Sequence, residues 1–503
     1  MPDTVLWPTQ PETITDILII GTGFAGLAMA IRLRQAGFTD FLLIEKAGDV
    51  GGTWRDNQYP GCACDIPSHL YSLSFEPKAD WSRMYPQQPE IQDYLKGVAE
   101  KHDLRAKIRF NTVFTEARWD EAGTVWHITT STGRITARVL VSAIGALHIP
   151  ATPALKGLET FAGQKFHSAA WDFGVDLAAK RVAVIGTGAS AIQFVPQIAP
   201  VVEKLHVFQR TPAWIVPKPD RAFSARETKW LKLPLYRRCF RAFLFWLHEL
   251  RVLAFLGNKR AQKLSHKMAV NHIHQHIKNP ALRAKLTPLY AVGCKRVMIS
   301  NDFYPALNRS NVDLVTNRIA KIRPHSIVDE AGVERDIDVL IFGTGFEVTS
   351  AYKHVRLLGV GGRDLGAEWD RAGMMAYKGI AVSGFPNYFM LLGPNTGLGH
   401  NSVVIMIEAQ VQYVIGALTQ MRARQVRAVD VRQSVQDADQ DVIATRLAGT
   451  VWQDGGCDSW YKDEHGRVSA IWPGSAASYQ RAVKTANLQD YRVLGRQAAQ
   501  ITA

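Results

Sequence analysis

The chain has 503 residues, of which 47% are apolar and 21% charged; it is too long for one hydrophobic core and too apolar to be disordered. No apolar run reaches the roughly eighteen residues that span a bilayer, and the first dozen residues lack the basic and apolar regions of a signal peptide. The net charge of +14 is local: residues 218–296 hold 18 Lys and Arg against 3 Asp and Glu, and the remainder holds 41 against 42.

Five cysteines (Cys62, Cys64, Cys239, Cys294 and Cys457) give an odd count without framework spacing, which predicts free thiols in a reducing compartment and a cytoplasmic protein. Cys62 and Cys64 are one residue apart with no matching His or Cys pair, so they are read as structural and no metal is expected.

Residues 16–20 form a short apolar strand that leads into Gly21, Gly23, Phe24 and Gly26, and then into a helix-periodic run ending at Gly37. That order is the strand, tight turn and helix of a dinucleotide-binding unit, whose helix N-terminus offers free N–H groups to a pyrophosphate. The next strand, residues 41–44, ends in Glu45, nineteen residues after Gly26. An acid there suits the two hydroxyls of an adenosine ribose and repels a 2′-phosphate, so this unit is expected to bind FAD. Beyond it the pair Gly51 and Gly52, with Thr53 and Trp54, would let backbone lie close to an isoalloxazine ring.

Residues 108–144 alternate in hydrophobicity, which predicts a small antiparallel sheet returning to the parallel one. Pro150 and Pro153 mark a linker. A second glycine turn follows the strand at residues 181–185 and carries Gly186, Gly188, Ala189, Ser190 and Ala191, with Gln193 on the helix behind it. Its second strand, residues 204–208, ends in Q-R-T-P rather than in an acid. Arg210 there can fork onto a 2′-phosphate, so the second unit is expected to bind NADPH.

Residues 222–290 break the α/β rhythm and read as inserted helices, rich in aromatics, Lys and Arg, with the aromatics expected to pack on the active-site side. Docking on a membrane surface is the alternative for this segment. His272, His274 and His276 alternate, which on a helix spreads them over different faces.

Between the two units, residues 161–172 read F-A-G-Q-K-F-H-S-A-A-W-D. Phe161, Gly163, His167, Trp171 and Asp172 are spaced Phe-x-Gly-x3-His-x3-Trp-Asp, which resembles the fingerprint of the Baeyer–Villiger monooxygenases, the type I, class B flavoprotein monooxygenases. The segments S-A-I-G, C-K-R, G-T-G-F, G-P-N-T-G-L-G-H-N-S, G-G-C-D-S-W-Y and W-P-G match chains of the same family, so the resemblance covers nearly the whole length.

The resemblance implies an α/β fold with two Rossmann-like dinucleotide-binding domains and an inserted helical subdomain. FAD would occupy residues 1–150 and 346–503, NADPH residues 151–217 and 291–345, and the insert residues 218–290. It implies that reduced flavin reacts with O2 at C4a and that the peroxide attacks a ketone, giving an ester or lactone. By the same resemblance the segment from Trp54 through Asp65 to Tyr71 walls the flavin site, Arg296 is the catalytic cation, Asp65 holds its guanidinium, and Lys295 joins Arg210 and Thr211 on the 2′-phosphate. His167 is implied to be an anchor between domains. The expected partners are a small ketone and O2, with no nucleic acid. Oxygenation of sulfur or nitrogen by the same chemistry is the alternative within the enzyme class, and a flavin-binding redox sensor is the alternative outside it.

Overall fold

Ile17, Leu18, Ile19 and Ile20 are all buried at the end of the strand Thr13–Ile20, as expected of a central parallel strand covered on both faces. In the computed structural model, which describes residues 12–496, this strand lies between Gly133–Ser142 and Phe41–Ile44, parallel to both. The N-terminal residues read above for a signal peptide lie outside the described part, apart from Glu12.

The first sheet runs in the order Arg356–Leu358, Phe114–Asp120, Val125–Thr130, Gly133–Ser142, Thr13–Ile20, Phe41–Ile44 and Ile108–Arg109, and Tyr388–Met390 also pairs with Gly133–Ser142. The antiparallel return expected from residues 108–144 is present as two antiparallel pairings that end in a strand parallel to the first. The helices Phe24–Gln35 and Val403–Ala423 pack against one another. By length and composition Val403–Ala423 could cross a membrane, but most of its apolar window is buried in the protein and it carries Glu408 and Gln410. It is a core helix.

The second sheet is wholly parallel, in the order Val312–Val315, Lys204–Phe208, Arg181–Ile185, Val339–Phe342 and Gln164–His167. The fingerprint therefore begins as its edge strand. Chain crossings between the sheets run side by side: Ala151 N donates to Gly345 O and Glu347 N to Ile149 O, both at 2.9 Å.

The insert leaves and re-enters at one point, because Ile215–Val216 pairs in parallel with Met298–Ile299. Its long helices are Pro234–Glu249 and Lys259–His276. On the first, the aromatics expected on the active-site side are split, Phe240 and Phe245 packing on the core and Tyr236, Phe243 and Trp246 facing out. Arg241 turns inward and donates to the carbonyls of His69 and Ser72, while Leu235, Tyr236, Phe243, Trp246 and Leu247 face out. The carbonyls of His69 and Ser72 hold Arg241 on the inner face, and part of the apolar set is left on the outer one. Leu244, Phe245 and Phe240 also turn inward, Phe240 seated against His69 and Phe223.

The thiol expectation is also corrected. Cys294 and Cys457 form a disulfide across 163 residues, while Cys62, Cys64 and Cys239 are free. The pairing arises because the turn at Gly455 lies directly on Cys294, with Ala291 N donating to Gly455 O at 2.9 Å. Cys62 and Cys64 are buried, and burial pushes the Cys62 thiol up to about 12.

Candidate active site

The two glycine turns are built alike. Gly21 and Gly186 have φ of +99° and +106°, and a Cβ there would come within 2.7 Å of Ala143 O and 2.4 Å of Gly343 O respectively. Ala143 and Gly343 belong to the S-A-I-G and G-T-G-F strand ends, so each turn is seated on the strand that returns to its own sheet. Gly21 N and Gly186 N donate to Ile44 O and Phe208 O at 2.8 and 3.0 Å. The following helices, Phe24–Gln35 and Ala191–Ile198, have no side-chain cap and no acid in the first turn. Their leading N–H groups and positive dipole ends are therefore open to a phosphate, which is the arrangement two dinucleotides need.

Glu45 stands at the end of the second strand as expected, but its carboxylate is already engaged. Thr22 N and Oγ1 donate to Oε2 at 3.1 and 2.7 Å, Ala47 N donates to Oε1 at 3.1 Å, and Arg55 forms an ion pair with Oε1 at 2.9 Å. Glu45 braces the turn at Thr22.

At the corresponding place in the second unit, Arg210 is exposed and has no ion-pair partner among the described residues. Lys295 lies close enough for burial and then the charge of Arg210 to lower its pKa. Lys295 Nζ also sits 5.5 Å from the Tyr290 ring centroid. Two neighbouring cations are the charge that a 2′-phosphate calls for.

Gln193 faces the other unit. Its Oε1 accepts from Tyr59 Oη at 3.0 Å and Ala63 N at 3.2 Å, and its Nε2 donates to Ala63 O at 3.0 Å. This side chain ties the Y-P-G-C-A-C-D segment to the second unit, and so fixes the position of Asp65. Trp54 Nε1 donates to Tyr71 Oη at 3.1 Å, and Phe24 packs edge-on to Tyr71 at 5.2 Å. Phe24, Trp54 and Tyr71 thus form one aromatic cluster beside Gly51, Gly52 and Thr53.

Arg296 and Asp65, 231 residues apart, meet at the junction. Arg296 Nε and Nη2 both donate to Asp65 Oδ2, at 2.9 and 2.6 Å. Their side chains retain 29% and 26% of their accessible surface, so the pair is ordered yet reachable. The negative charge of Asp65 raises the pKa of Arg296 further, against the opposing effect of burial, so the guanidinium is a permanent cation. Tyr461, which is fully buried and was given no role in the sequence reading, also lies beside Arg296; burial pushes its hydroxyl up to about 12. Its only sequence signal is its place in S-W-Y.

In the fingerprint, Phe161 is buried, and a Cβ on Gly163 would lie 2.3 Å from Asp338 O. His167 is buried, accepts from Ala169 N through Nδ1 at 3.0 Å, and lies 6.0 Å from the Phe346 ring. Burial lowers its pKa. Trp171 packs on Phe166 and on Phe194, both at 5.2 Å, and Asp172 Oδ1 caps Gly174 N at 2.9 Å. His167 therefore sits beside the paired crossings, apart from Arg296 in the bonding network.

Together the fold and site define a flavoprotein oxidoreductase with two dinucleotide units, and the pyridine nucleotide-disulphide oxidoreductase family matches residues 18–229. The chain is 49% identical over 461 residues to a Baeyer–Villiger monooxygenase of Pseudomonas aeruginosa, covering 91% of this chain and 87% of that protein. It is 45% identical over 489 residues to a Baeyer–Villiger monooxygenase of Streptomyces coelicolor, covering 97% and 94%. The crystal structure of OTEMO in complex with FAD and NADP superposes with a TM-score of 0.86 at 28% identity, covering 95% of this chain and 99% of that one. The chain belongs to the Baeyer–Villiger monooxygenase family. It is an FAD- and NADPH-dependent monooxygenase.

Proposed function

We propose that this enzyme inserts one oxygen atom beside the carbonyl of a small ketone to give an ester or lactone, and that Arg296, held by Asp65, is the residue on which insertion depends. The observation that carries this reading is the double donation from Arg296 to one oxygen of Asp65. It leaves Nη1 of a fixed, permanently charged guanidinium for the reacting groups.

FAD, when bound, supplies hydride acceptance from NADPH and the activation of O2. The protein supplies the rest. The open helix ends behind Gly23 and Ser190 hold the two pyrophosphates, and Arg210, Thr211 and Lys295 hold the 2′-phosphate. The Phe24, Trp54 and Tyr71 cluster walls the flavin side. Arg296 stabilises negative charge developing on the carbonyl oxygen, without having to reorganise as that charge appears. Asp65 acts through Arg296 as a positioning residue. Dependence on NADPH supports a cytoplasmic location.

The test is product analysis of the purified, flavin-loaded protein with NADPH, air and a panel of ketones and sulfides. Ester or lactone from at least one ketone is expected, whereas sulfoxides without any ester would overturn the ketone reading.

A further inference from the structure

The insert helix Pro234–Glu249 has a mixed inner face, with arginines beside apolar residues, and a largely apolar outer one. Arg237 donates to Leu231 O and Arg241 to Ser72 O, both at 3.0 Å, and Leu244, His248 and Glu249 are buried. Positions 235, 239, 242, 243, 246 and 250 fall on the opposite side by helix periodicity. Leu235 is 74% exposed, Phe243 60%, Trp246 60% and Leu250 65%. Leu253 and Leu256 continue the exposed apolar residues, and the next long helix adds Leu264 and Met268 beside Lys263 and Lys267. A run of large apolar side chains of this extent marks an interaction surface rather than an ordinary solvated face.

Charge identifies what the surface meets. Residues 218–296 carry the whole of the chain's charge imbalance, and each of their three acids is already used internally. Asp220 pairs with Arg83 at 2.8 Å, Glu227 with Arg221 at 2.6 Å and Glu249 with His400 at 3.1 Å. Lys229, Lys232, Arg238, Arg260, Lys263 and Lys267 are exposed and have no ion pair among the described residues. Exposed Trp, Tyr and Leu on a segment that also carries exposed, unpaired cations are complementary to an anionic lipid headgroup layer over acyl chains.

We propose that the helical insert docks this enzyme on the surface of an anionic phospholipid bilayer, with Leu235, Phe243, Trp246 and Leu250 entering the acyl boundary and the surrounding lysines and arginines lying on the headgroups. The attachment is peripheral, since Val403–Ala423 is committed to the core.

Co-sedimentation of the full, FAD-loaded chain with vesicles tests this, without turnover, so that its failure is distinct from failure of the oxygenation reading. Binding is expected to mixed phosphatidylcholine and phosphatidylglycerol vesicles, to weaken with salt, and to be small on phosphatidylcholine alone. The Phe243→Ser/Trp246→Ser variant should lose at least about tenfold in partitioning, and Lys263→Glu/Lys267→Glu should lose binding to the charged vesicles while retaining FAD. Because a face variant can also disturb folding, hydrogen exchange of the unmodified chain is the second readout: vesicles should protect residues 234–256. No binding to charged vesicles, or unchanged binding by both variants, overturns the proposal. So does a dimer that Phe243→Ser/Trp246→Ser dissociates without any vesicle binding, which would assign the face to a second copy of the chain.

Discussion

Glu249, at the end of the insert helix, accepts from His400 Nε2 at 3.1 Å and from Asn401 Nδ2 at 2.8 Å, so one buried carboxylate fastens the insert to the G-P-N-T-G-L-G-H-N-S loop. The backbone N–H groups of Ala476 and Ala477 complete its shell, each at 3.1 Å. Burial alone would raise the pKa of this group, but the hydrogen bonds from His400, Asn401 and Ala477 outweigh it and bring it to about 2. The folded value lies below the ordinary 4.5, so the contribution is complete above 4.5 and is lost as pH falls toward 2. Next to it His248 is lowered to about 4, by burial first and by Arg251 second. Its contribution is complete above 6.5 and is lost as pH falls toward 4.

Loosening of the insert should therefore begin below pH 6.5 and deepen below 4.5. Glu249→Gln should cost on the order of 3 kcal/mol at neutral pH and flatten the acid limb below 4.5, read by hydrogen exchange of the insert and by thermal scans. An unchanged acid limb would show that another group controls docking.

Arg210 and Lys295 make a separable prediction about coenzyme choice. Arg210→Ala should raise KM for NADPH by about tenfold or more, since a charged hydrogen bond is worth about 1.5 to 3 kcal/mol. KM for NADH should barely move. Equal effects in steady-state assays with the two coenzymes would remove the 2′-phosphate assignment.

The Cys294–Cys457 bridge pins the C-K-R segment, which carries Lys295 and Arg296, to the segment that carries Tyr461. Thiol titration of the denatured, unreduced chain should find the three free cysteines Cys62, Cys64 and Cys239, and reduction should expose the remaining pair. Cys457→Ser should cost about 2 to 4 kcal/mol of stability. Five reactive thiols before reduction would contradict the bridge.

His167→Ala should keep bound FAD and lower ketone oxygenation about tenfold to a hundredfold, because His167 braces the paired crossings near Phe346 and a small misplacement between domains is costly. Flavin content and ester yield per NADPH consumed measure the two effects separately. Loss of flavin instead would give His167 a folding role.

What the sequence made legible was mostly local. Both glycine turns, the strands before them and the acid-to-arginine exchange between Glu45 and Arg210 follow from spacing within single βαβ units. The Arg296 and Asp65 pair came from family resemblance, because no local pattern joins positions 231 residues apart. The insert's wealth of aromatics and basic residues is plain in the sequence, but periodicity fixes only that a helix has two faces. Which face turns inward depended on the His69 and Ser72 carbonyls waiting for Arg241, and those lie on a distant segment. The disulfide was hidden for the same reason, as was Tyr461, an aromatic residue in a motif with no charge or spacing to single it out.

The most direct test of the account is Arg296→Ala, followed by stopped-flow measurement of flavin reduction and by gas chromatography of the products. Flavin binding and at least slow reduction by NADPH should persist, because those steps need a seated nicotinamide more than a cation. Ester or lactone formation should fall by about 10² to 10³, the usual cost of removing one preorganised electrostatic donor. Near-normal ester yield from this variant would contradict the assignment of Arg296 as the residue on which oxygen insertion depends.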